Sequence, residues 1–270
     1  MKILLNSREL KKELKNDHNL GFVPTMGSIH KGHEYLILRS KKECNKTLVS
    51  IFVNPTQFNN KKDLKNYPSN INKDLLILKK LKVNYVFIPK VKDLYGYKRR
   101  KKIKLNKTDI ILCAKYRKGH FEGVLDVMDR LTKLIYPNKI FMGEKDYQQY
   151  FLVKRFIENK YKVNVIKCKT LRSIDKAALS SRNLLLSQKN LTIVGKIFKE
   201  LIKLKSSISR KESIKKYLKF KKKDLANKYK IKIEYLELRN IKSLKNSNNF
   251  RNSKIFIAYY INKIRLIDNL

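Results

Sequence analysis

The chain has 270 residues, 42% of them hydrophobic, and a formal net charge of +43. This length and composition favour one large or two smaller folded domains. The N-terminus lacks the apolar core of a signal peptide and no apolar run approaches membrane-spanning length, so we expect a cytoplasmic protein with no membrane partner.

The lysine excess makes nucleic-acid binding an alternative that must be weighed. The lysines are spread over nearly the whole chain, and the densest basic run, at 98–102, lacks interleaved aromatic residues. Lysine, asparagine and isoleucine share A/T-rich codons, so we ascribe the charge to a biased genome. We expect no specific nucleic-acid partner, and this function stays open as the least favoured alternative.

Strand and helix patterns alternate along the first 170 residues. A capped amphipathic helix is predicted at 7–14, before the first strong strand signal. Near-continuous apolar runs are typical of strands buried on both faces of a parallel sheet. The predicted strands cover 20–23, 47–53, 83–88, 139–142 and 163–168, and the predicted helices between them cover 34–40, 71–82, 122–135 and 146–159. This order predicts an α/β fold with a doubly wound, Rossmann-like parallel sheet in a domain at 1–170.

The pattern changes after residue 170. Lysine-rich helical patterns at 189–205 and 211–227 precede apolar or alternating runs at 231–238, 254–261 and 264–267. Helices followed by strands predict a small, separate α+β domain at 171–270. We expect the loop at 172–183 to be the hinge between the domains.

The stretch at 24–33 combines three features of a phosphate-binding turn. A predicted strand enters it, Gly27 and Gly32 lie within it, and a helical pattern leaves it. Unpaired N–H groups and the helix dipole favour an anion at such a helix N-terminus. His30 and His33 lie three residues apart, so both imidazoles can donate to one phosphate chain. Taken alone, the pattern is more typical of a tight turn with two surface histidines.

Three other polar segments, at 54–58, 143–149 and 179–183, fall where a parallel sheet places its ligands, at the carboxyl ends of strands or just beyond. Lys145 is a point charge for a phosphate, and the carboxamides of Gln57 and Gln149 can hold hydroxyl or carboxylate groups without adding charge. Each segment alone is an ordinary polar turn. Together they predict a site for a nucleoside triphosphate and a small polar acid.

In order and spacing, the segments PTMGSIHKGH, SIFVNPTQF, KNYP, RKGHFEGV, GEKDYQQ, LSSRN and RLIDN resemble those of the pantothenate synthetase (pantoate–β-alanine ligase) family. The resemblance spans nearly the whole chain. It implies a nucleotidyltransferase-like Rossmann domain, a homodimer, and ATP-dependent condensation of pantoate with β-alanine through pantoyl adenylate, with Mg²⁺ accompanying ATP. The alternative is a nucleotidyltransferase of the same HxGH type acting on another small substrate.

The resemblance also implies roles for individual residues. His30, His33 and Lys145 are expected to be catalytic, and together with Arg182 to act as positive groups that take up phosphate charge. Gln57 and Gln149 are expected to bind pantoate. The expected ATP contacts are Met26, Gly27, Ser28, Ile29, His30, Lys31, Gly32, His33, Gly143, Glu144, Lys145, Asp146, Leu171, Leu179, Ser180, Ser181 and Arg182.

Some positions depart from the family pattern. Lys73 and Ile77 stand where some members have metal-associated polar groups, which leaves Asp74 as the candidate metal ligand. Lys176 stands where the family has glycine in the hinge, so loop closure over ATP would use ordinary residues.

Overall fold

A computed structural model describes residues 1–15, 17–96, 103–208 and 213–270. The basic run at 98–102 and the first two residues of the helix predicted at 211–227 lie outside these residues. The chain forms two compact units, Met1–Ile110 with Arg117–Lys169, and Ile111–Tyr116 with Thr170–Leu270. The chain enters the second unit for the last time at Thr170, one residue before the predicted start of the second domain at 171. The assignment of 111–116 to the second unit was not predicted.

The first unit contains a parallel sheet flanked by helices, as the α/β pattern predicted. Its strands are β1 (Lys2–Leu4), β2 (Leu20–Thr25), β3 (Lys46–Ile51), β4 (Tyr85–Phe87), β5 (Lys139–Gly143) and β6 (Asn164–Cys168). Its helices are α1 (Ser7–Leu14), α2 (Lys31–Glu43), α3 (Lys61–Lys65), α4 (Ile71–Lys80), α5 (Val91–Tyr95), α7 (His120–Ile135) and α8 (Tyr147–Lys160).

The strand order β1-β4-β3-β2-β5-β6 determines where a ligand can bind. From β2 the chain builds outward through β3 and β4, and it later returns to the other side of β2 to add β5 and β6. The carboxyl ends of β2 and β5 therefore flank the point at which the strand order reverses. Open α/β sheets bind their ligands at such a point.

The second unit contains α6 (Leu112–Tyr116), α9 (Gln188–Ile208) and α10 (Ile214–Tyr229), with the antiparallel strands β7 (Lys232–Asn240), β8 (Ser253–Ile261) and β9 (Ile264–Asn269). The short helix α6 belongs here because it is bonded to β7: the Cys113 Sγ and Tyr235 Oη atoms are 3.1 Å apart, and the Tyr116 hydroxyl donates to the Glu234 carbonyl at 3.0 Å. In the described part of the chain, no helix is long and apolar enough to cross a membrane.

The predicted hinge loop is tightly bonded within its own unit. Arg172 and Ala178 form an antiparallel bridge, and the Leu179 N–H donates to the Leu171 carbonyl at 3.0 Å. A Cβ atom added to Gly195 in α9 would overlap the Asp175 carbonyl oxygen, so the loop packs directly on the helix backbone. These contacts describe an anchored turn.

Candidate active site

The turn after β2, residues 26–30, has a shape that only certain residues can adopt. Gly27 has φ +83° and Ser28 has φ +54°. The Gly27 N–H donates to Thr25 Oγ1 at 3.1 Å, and that hydroxyl donates to the Ser50 carbonyl of the neighbouring strand at 2.7 Å. The strand ladder therefore extends into the turn and holds it. We call residues 26–30 the β2 turn.

The next two N–H groups of the β2 turn are bound by a carboxylate from α4. Ser28 N–H donates to Asp74 Oδ2 at 2.8 Å, and Ile29 N–H donates to Asp74 Oδ1 at 2.7 Å. The Gly32 N–H donates to His30 Nδ1 at 3.0 Å. The expectation that the backbone N–H groups of this turn are available to a phosphate is therefore wrong for residues 27, 28, 29 and 32. Side chains and the helix dipole must supply most of the attraction for an anion.

His30 and His33 are brought together by the first turn of α2. His30 is the N-cap of the helix, and the two rings stack with their centroids 4.1 Å apart. Because His30 Nδ1 accepts the Gly32 N–H, the neutral ring carries its proton on Nε2. His30 thus presents an N–H donor on the side of its ring away from the helix backbone.

Both histidines are electrically neutral near neutral pH. Burial lowers the pKa of His30 to about 4, with a further lowering by the Lys145 ammonium. Burial lowers the pKa of His33 to about 3, and His30 and Lys145 contribute to that lowering. Burial therefore favours the neutral form of both imidazoles, which differs from the expectation that they are positive groups. Lys145 carries the positive charge that acts on both rings.

The turn after β5, residues 143–147, brings Lys145 to the site. Gly143 has an ordinary φ of −74°, and a Cβ added there would meet no protein atom within 4 Å. Lys145 Nζ lies 3.5 Å from Asp146 Oδ1, and Lys167 Nζ lies 3.2 Å from Glu144 Oε1. We call residues 143–147 the β5 turn. Its backbone faces space that a ligand can occupy.

Gln57 lies beside the β2 turn. Its side chain is 8% exposed, and its Nε2 donates to Met26 Sδ at 2.8 Å. Asn54 Nδ2 donates to Gln57 Oε1 at 3.1 Å and to the Gly123 carbonyl at 3.1 Å. A Cβ added to Gly123 would overlap the Thr56 carbonyl oxygen, so α7 approaches this segment as closely as backbone allows. The carboxamide of Gln57 is thus held in a buried polar network.

The structure adds residues to this network that were not predicted as site residues. His120 Nδ1 lies 2.7 Å from the Gln57 carbonyl oxygen, and His120 Nε2 lies 2.7 Å from Arg117 Nη1. A carbonyl only accepts and a guanidinium only donates, so His120 carries its proton on Nδ1. The Tyr95 hydroxyl donates to Asn54 Oδ1 at 2.6 Å. The segment RKGHFEGV contains Arg117 and His120, but nothing in it indicates that they contact Gln57.

The remaining predicted residues occupy two places. Gln149 lies in the first turn of α8 and is half-buried. Leu171, Leu179, Ser180, Ser181 and Arg182 belong to the second unit. There the Ser180 hydroxyl oxygen accepts the Arg182 N–H at 3.1 Å and caps a short 3-10 helix.

Asp74 does not fit the role of a metal ligand that was expected of it. It is 2% exposed, and both carboxylate oxygens accept backbone N–H groups. Among the described residues, no group of three or more His, Cys, Asp or Glu side chains could hold a metal ion. Mg²⁺ prefers octahedral oxygen ligands and commonly arrives with substrate phosphates.

Comparisons with known proteins give a consistent result. A profile of the family described as Pantoate-beta-alanine ligase matches residues 2–270. The pantothenate synthetase of Pseudothermotoga lettingae is 38% identical over 282 residues, covering 100% of this chain and 98% of its own. The crystal structure of pantothenate synthetase from Thermus thermophilus matches with a TM-score of 0.93 and 30% identity, covering 100% of this chain and 99% of that one. A Francisella tularensis pantoate–β-alanine ligase, complexed with β-γ ATP and β-alanine, matches with a TM-score of 0.84 and 35% identity, covering 100% and 97%.

Proposed function

This chain belongs to the pantoate–β-alanine ligase family, and we propose that it forms pantoyl adenylate at the carboxyl ends of β2 and β5. The overall reaction is the ATP-dependent condensation of pantoate with β-alanine, an acid–amino-acid ligation that forms a C–N bond. The observation that supports the proposed site is the stacked pair His30 and His33 beside Lys145, where the strand order of the sheet reverses.

In the first step, a pantoate carboxylate oxygen attacks the α-phosphorus of Mg·ATP. The bond from that phosphorus to the bridging oxygen breaks, and pyrophosphate leaves with the bonding electrons. The Lys145 ammonium and the Nε2–H of His30 stabilise the charge on the phosphate oxygens, and His33 stacks on the His30 ring. Positioning and electrostatic stabilisation provide most of the acceleration in such a displacement.

In the second step, the β-alanine amine attacks the acyl carbon of the adenylate. The bond from that carbon to the phosphate oxygen breaks, AMP leaves, and the amine proton passes to solvent. The low pKa values of His30 and His33 make both rings poor proton acceptors in the free protein, so we give neither a role as general base.

We assign pantoate to Gln57 and Gln149. Gln57 is already ordered by Asn54 and Met26, which reduces the entropy that binding must overcome. A neutral carboxamide can bond the hydroxyl and carboxylate of pantoate without drawing an anion away from the phosphate site. Gly143 adjoins space free of protein atoms, and we assign the nucleotide to that space together with Met26, Ser28, Lys31, Glu144 and Asp146.

Several further features follow from the family resemblance. We propose that Leu171, Leu179, Ser180, Ser181 and Arg182 also contribute to the use of ATP, which Arg182→Ala tests. We propose that the protein is a homodimer, which sedimentation tests, and that it is located in the cytoplasm.

The charge of +43 predicts only weak, sequence-independent DNA binding that falls steeply with salt, because scattered lysines contact phosphates but read no bases.

The deciding experiment follows the products by mass spectrometry. With ATP, pantoate and β-alanine, we expect AMP and pantothenate in equal amounts. Without β-alanine, we expect pantoate-dependent exchange of labelled pyrophosphate into ATP, because the first step is then reversible. A nucleotidyltransferase acting on another substrate would show neither pantoate-dependent exchange nor an amide product. Tight, sequence-selective DNA binding would revive the nucleic-acid alternative.

A further inference from the structure

We propose that Asp74 is a positioning residue for adenylate formation, and that its carboxylate is a built-in anion that shapes the β2 turn. This inference rests on the proposed function, because the rate of that reaction is its readout. The sequence predicted a phosphate-binding turn at 24–33. In the structure the anion bound by two of its N–H groups is supplied by the protein.

The geometry around Asp74 is that of an anion-binding nest. Consecutive N–H groups, from Ser28 and Ile29, donate to the two oxygens of one carboxylate at 2.8 and 2.7 Å. Gly27 and Ser28 have φ values of +83° and +54°, and successive N–H groups in such turns converge on a concave anion site. The carboxylate is 2% exposed, so solvent does not compete for these hydrogen bonds.

The nest determines where the catalytic side chains begin. Ile29 is followed directly by His30, the N-cap of α2, which also stacks on His33. A Cβ added to Gly27 would lie 2.9 Å from Asp74 Oδ2, so the turn packs directly against the carboxylate and leaves no space for a side chain at residue 27. Removing the carboxylate would leave the part-buried Ser28 N–H and the buried Ile29 N–H without this acceptor, and the turn would rearrange to satisfy them.

Asparagine is a poor substitute for this aspartate. Its Oδ1 can accept one N–H, but its Nδ2 can only donate and would face the other N–H group. Asp74→Asn therefore keeps the volume of the side chain and breaks one of the two bonds. Asp74→Ala removes both bonds and leaves a polar cavity in which a small carboxylate such as formate can bind.

The test measures pyrophosphate release with saturating ATP and pantoate, at a series of Mg²⁺ concentrations. For Asp74→Asn we expect kcat to fall about 100-fold, the size of effect produced when reacting groups are displaced by about 1 Å. We expect the Mg²⁺ concentration for half-maximal rate to stay at the wild-type value. For Asp74→Ala we expect added formate to restore part of the lost kcat.

Two further variants complete the design. Gly27→Ala keeps the carboxylate but crowds it, and we expect the same loss of kcat with unchanged Mg²⁺ dependence. Glu13→Gln is the control, because the Glu13 carboxylate lies on α1 and pairs with the exposed Lys2, so its loss should leave the rate unchanged. Thermal unfolding confirms that each variant is folded.

The outcomes separate this inference from the proposed function. Absence of pantoate-dependent pyrophosphate release in the wild-type protein would refute the proposed function. With an active wild type, any of three results would overturn the role of Asp74. These are wild-type kcat in Asp74→Asn, recovery of its rate by excess Mg²⁺, and failure of formate to restore any rate in Asp74→Ala.

Discussion

The β2 turn and the β5 turn follow adjacent strands of the same sheet, carry a glycine at similar places, and each leads into a helix. They use that glycine for different purposes. Gly27 has a positive φ and no space for a Cβ, whereas Gly143 has an ordinary φ and open space around it. The first glycine is needed by the fold, and the second leaves room for a ligand.

The two turns also differ in the hydrogen bonds of their N–H groups and in the charge of their side chains. The N–H groups of the β2 turn donate to Thr25 and Asp74, and the two neutral imidazoles lie at its end and in the first turn of α2. The β5 turn presents the ammonium of Lys145, which helps to keep those imidazoles neutral. A glycine at the end of a buried strand therefore does not by itself identify a backbone phosphate site. Whether such a turn can bind a phosphate through its backbone depends on the hydrogen-bond partners that the neighbouring N–H groups already have.

The largest effect is expected at His33, in the first turn of α2, directly after the β2 turn. We expect His33→Ala to reduce adenylate formation at least about 100-fold, since the His30 ring would lose the ring that stacks on it, and a displacement of a reacting group by about 1 Å can cost about 100-fold. Pyrophosphate release by the folded variant measures this. The control is His18→Ala, because His18 is exposed and lies outside the site. Near-normal release by His33→Ala would remove His33 from the mechanism.

A smaller and more selective effect is expected at Gln57, which contacts the β2 turn through Met26. Gln57→Ala should raise the KM for pantoate more than that for ATP, because a polar group that loses its buried partner costs about 1–3 kcal/mol. Initial rates at varied pantoate and varied ATP separate the two constants. Gln188→Ala, at an exposed glutamine, is the control. A raised KM for ATP alone would show that Gln57 serves the nucleotide.

The neutral histidines predict a pH dependence of folding stability. Burial lowers the pKa of His30 to about 4, so between its ordinary value of 6.5 and that pH the unfolded chain binds a proton that the folded chain does not. Stability should therefore be full above pH 6.5 and decline as the pH falls towards 4. In His30→Asn, which retains an N-cap acceptor, we expect this decline to shrink by on the order of 1–2 kcal/mol.

Urea unfolding at several pH values measures that decline without ligand. Repeating the series with ATP tests the link to function, because nearby phosphates favour the protonated rings and should raise both histidine pKa values. Equal declines in the wild type and His30→Asn would show that burial does not keep His30 neutral.

The β5 turn can be tested without harming the fold. Gly143→Ala should leave stability unchanged or raise it by about 0.4–1 kcal/mol, since φ −74° suits alanine and the space is empty of protein atoms. If ATP fills that space, its KM should rise about tenfold, corresponding to about 1.4 kcal/mol. An unchanged KM for ATP in Gly143→Ala would show that the nucleotide binds elsewhere. The β5 turn would then not differ from the β2 turn by leaving room for a ligand.

Much of the fold could be predicted because its signals are local. β2, β3 and β5 are near-continuous apolar runs, and such runs indicate strands buried on both faces. β1 was missed because the apolar run around it, at 3–5, is too short to indicate a strand. The position of α6 was missed because its contact to Tyr235 spans 122 residues, and no local pattern encodes that distance.

In the candidate site, too, local features could be predicted from the sequence and features that depend on distant contacts could not. The spacing of His30 and His33 was sufficient to predict that they lie together. Their neutral state could not be predicted, because it depends on burial and on Lys145, which comes from another strand. The contact of Asp74 with the β2 turn was missed because its bond to the Ser28 N–H joins residues 46 apart. Resemblance to a family assigned these residues to a site, but the contacts determine what each one does there.

The smallest effect is expected at a third turn, the anchored loop of the second unit. Lys176 has φ +69°, the left-handed conformation that glycine adopts without strain, and its N–H donates to the Ser173 carbonyl at 2.9 Å. The lysine therefore takes the backbone shape that the usual family glycine would take. Left-handed φ costs a lysine about 1–2 kcal/mol, while glycine loses about 0.4–1 kcal/mol through the greater freedom of its unfolded chain.

Lys176→Gly should therefore raise the free energy of unfolding by about 1 kcal/mol or less, and it should leave kcat unchanged because the loop is held by its own hydrogen bonds. Urea unfolding and pyrophosphate release measure the two quantities. The matched control is Lys199→Gly, at an exposed position inside α9, which should lower stability by up to about 1 kcal/mol. Equal destabilisation by both substitutions would show that residue 176 does not need the left-handed conformation. A changed kcat in Lys176→Gly would support the prediction that this loop is a hinge, because the flexibility of residue 176 would then affect the reaction rate.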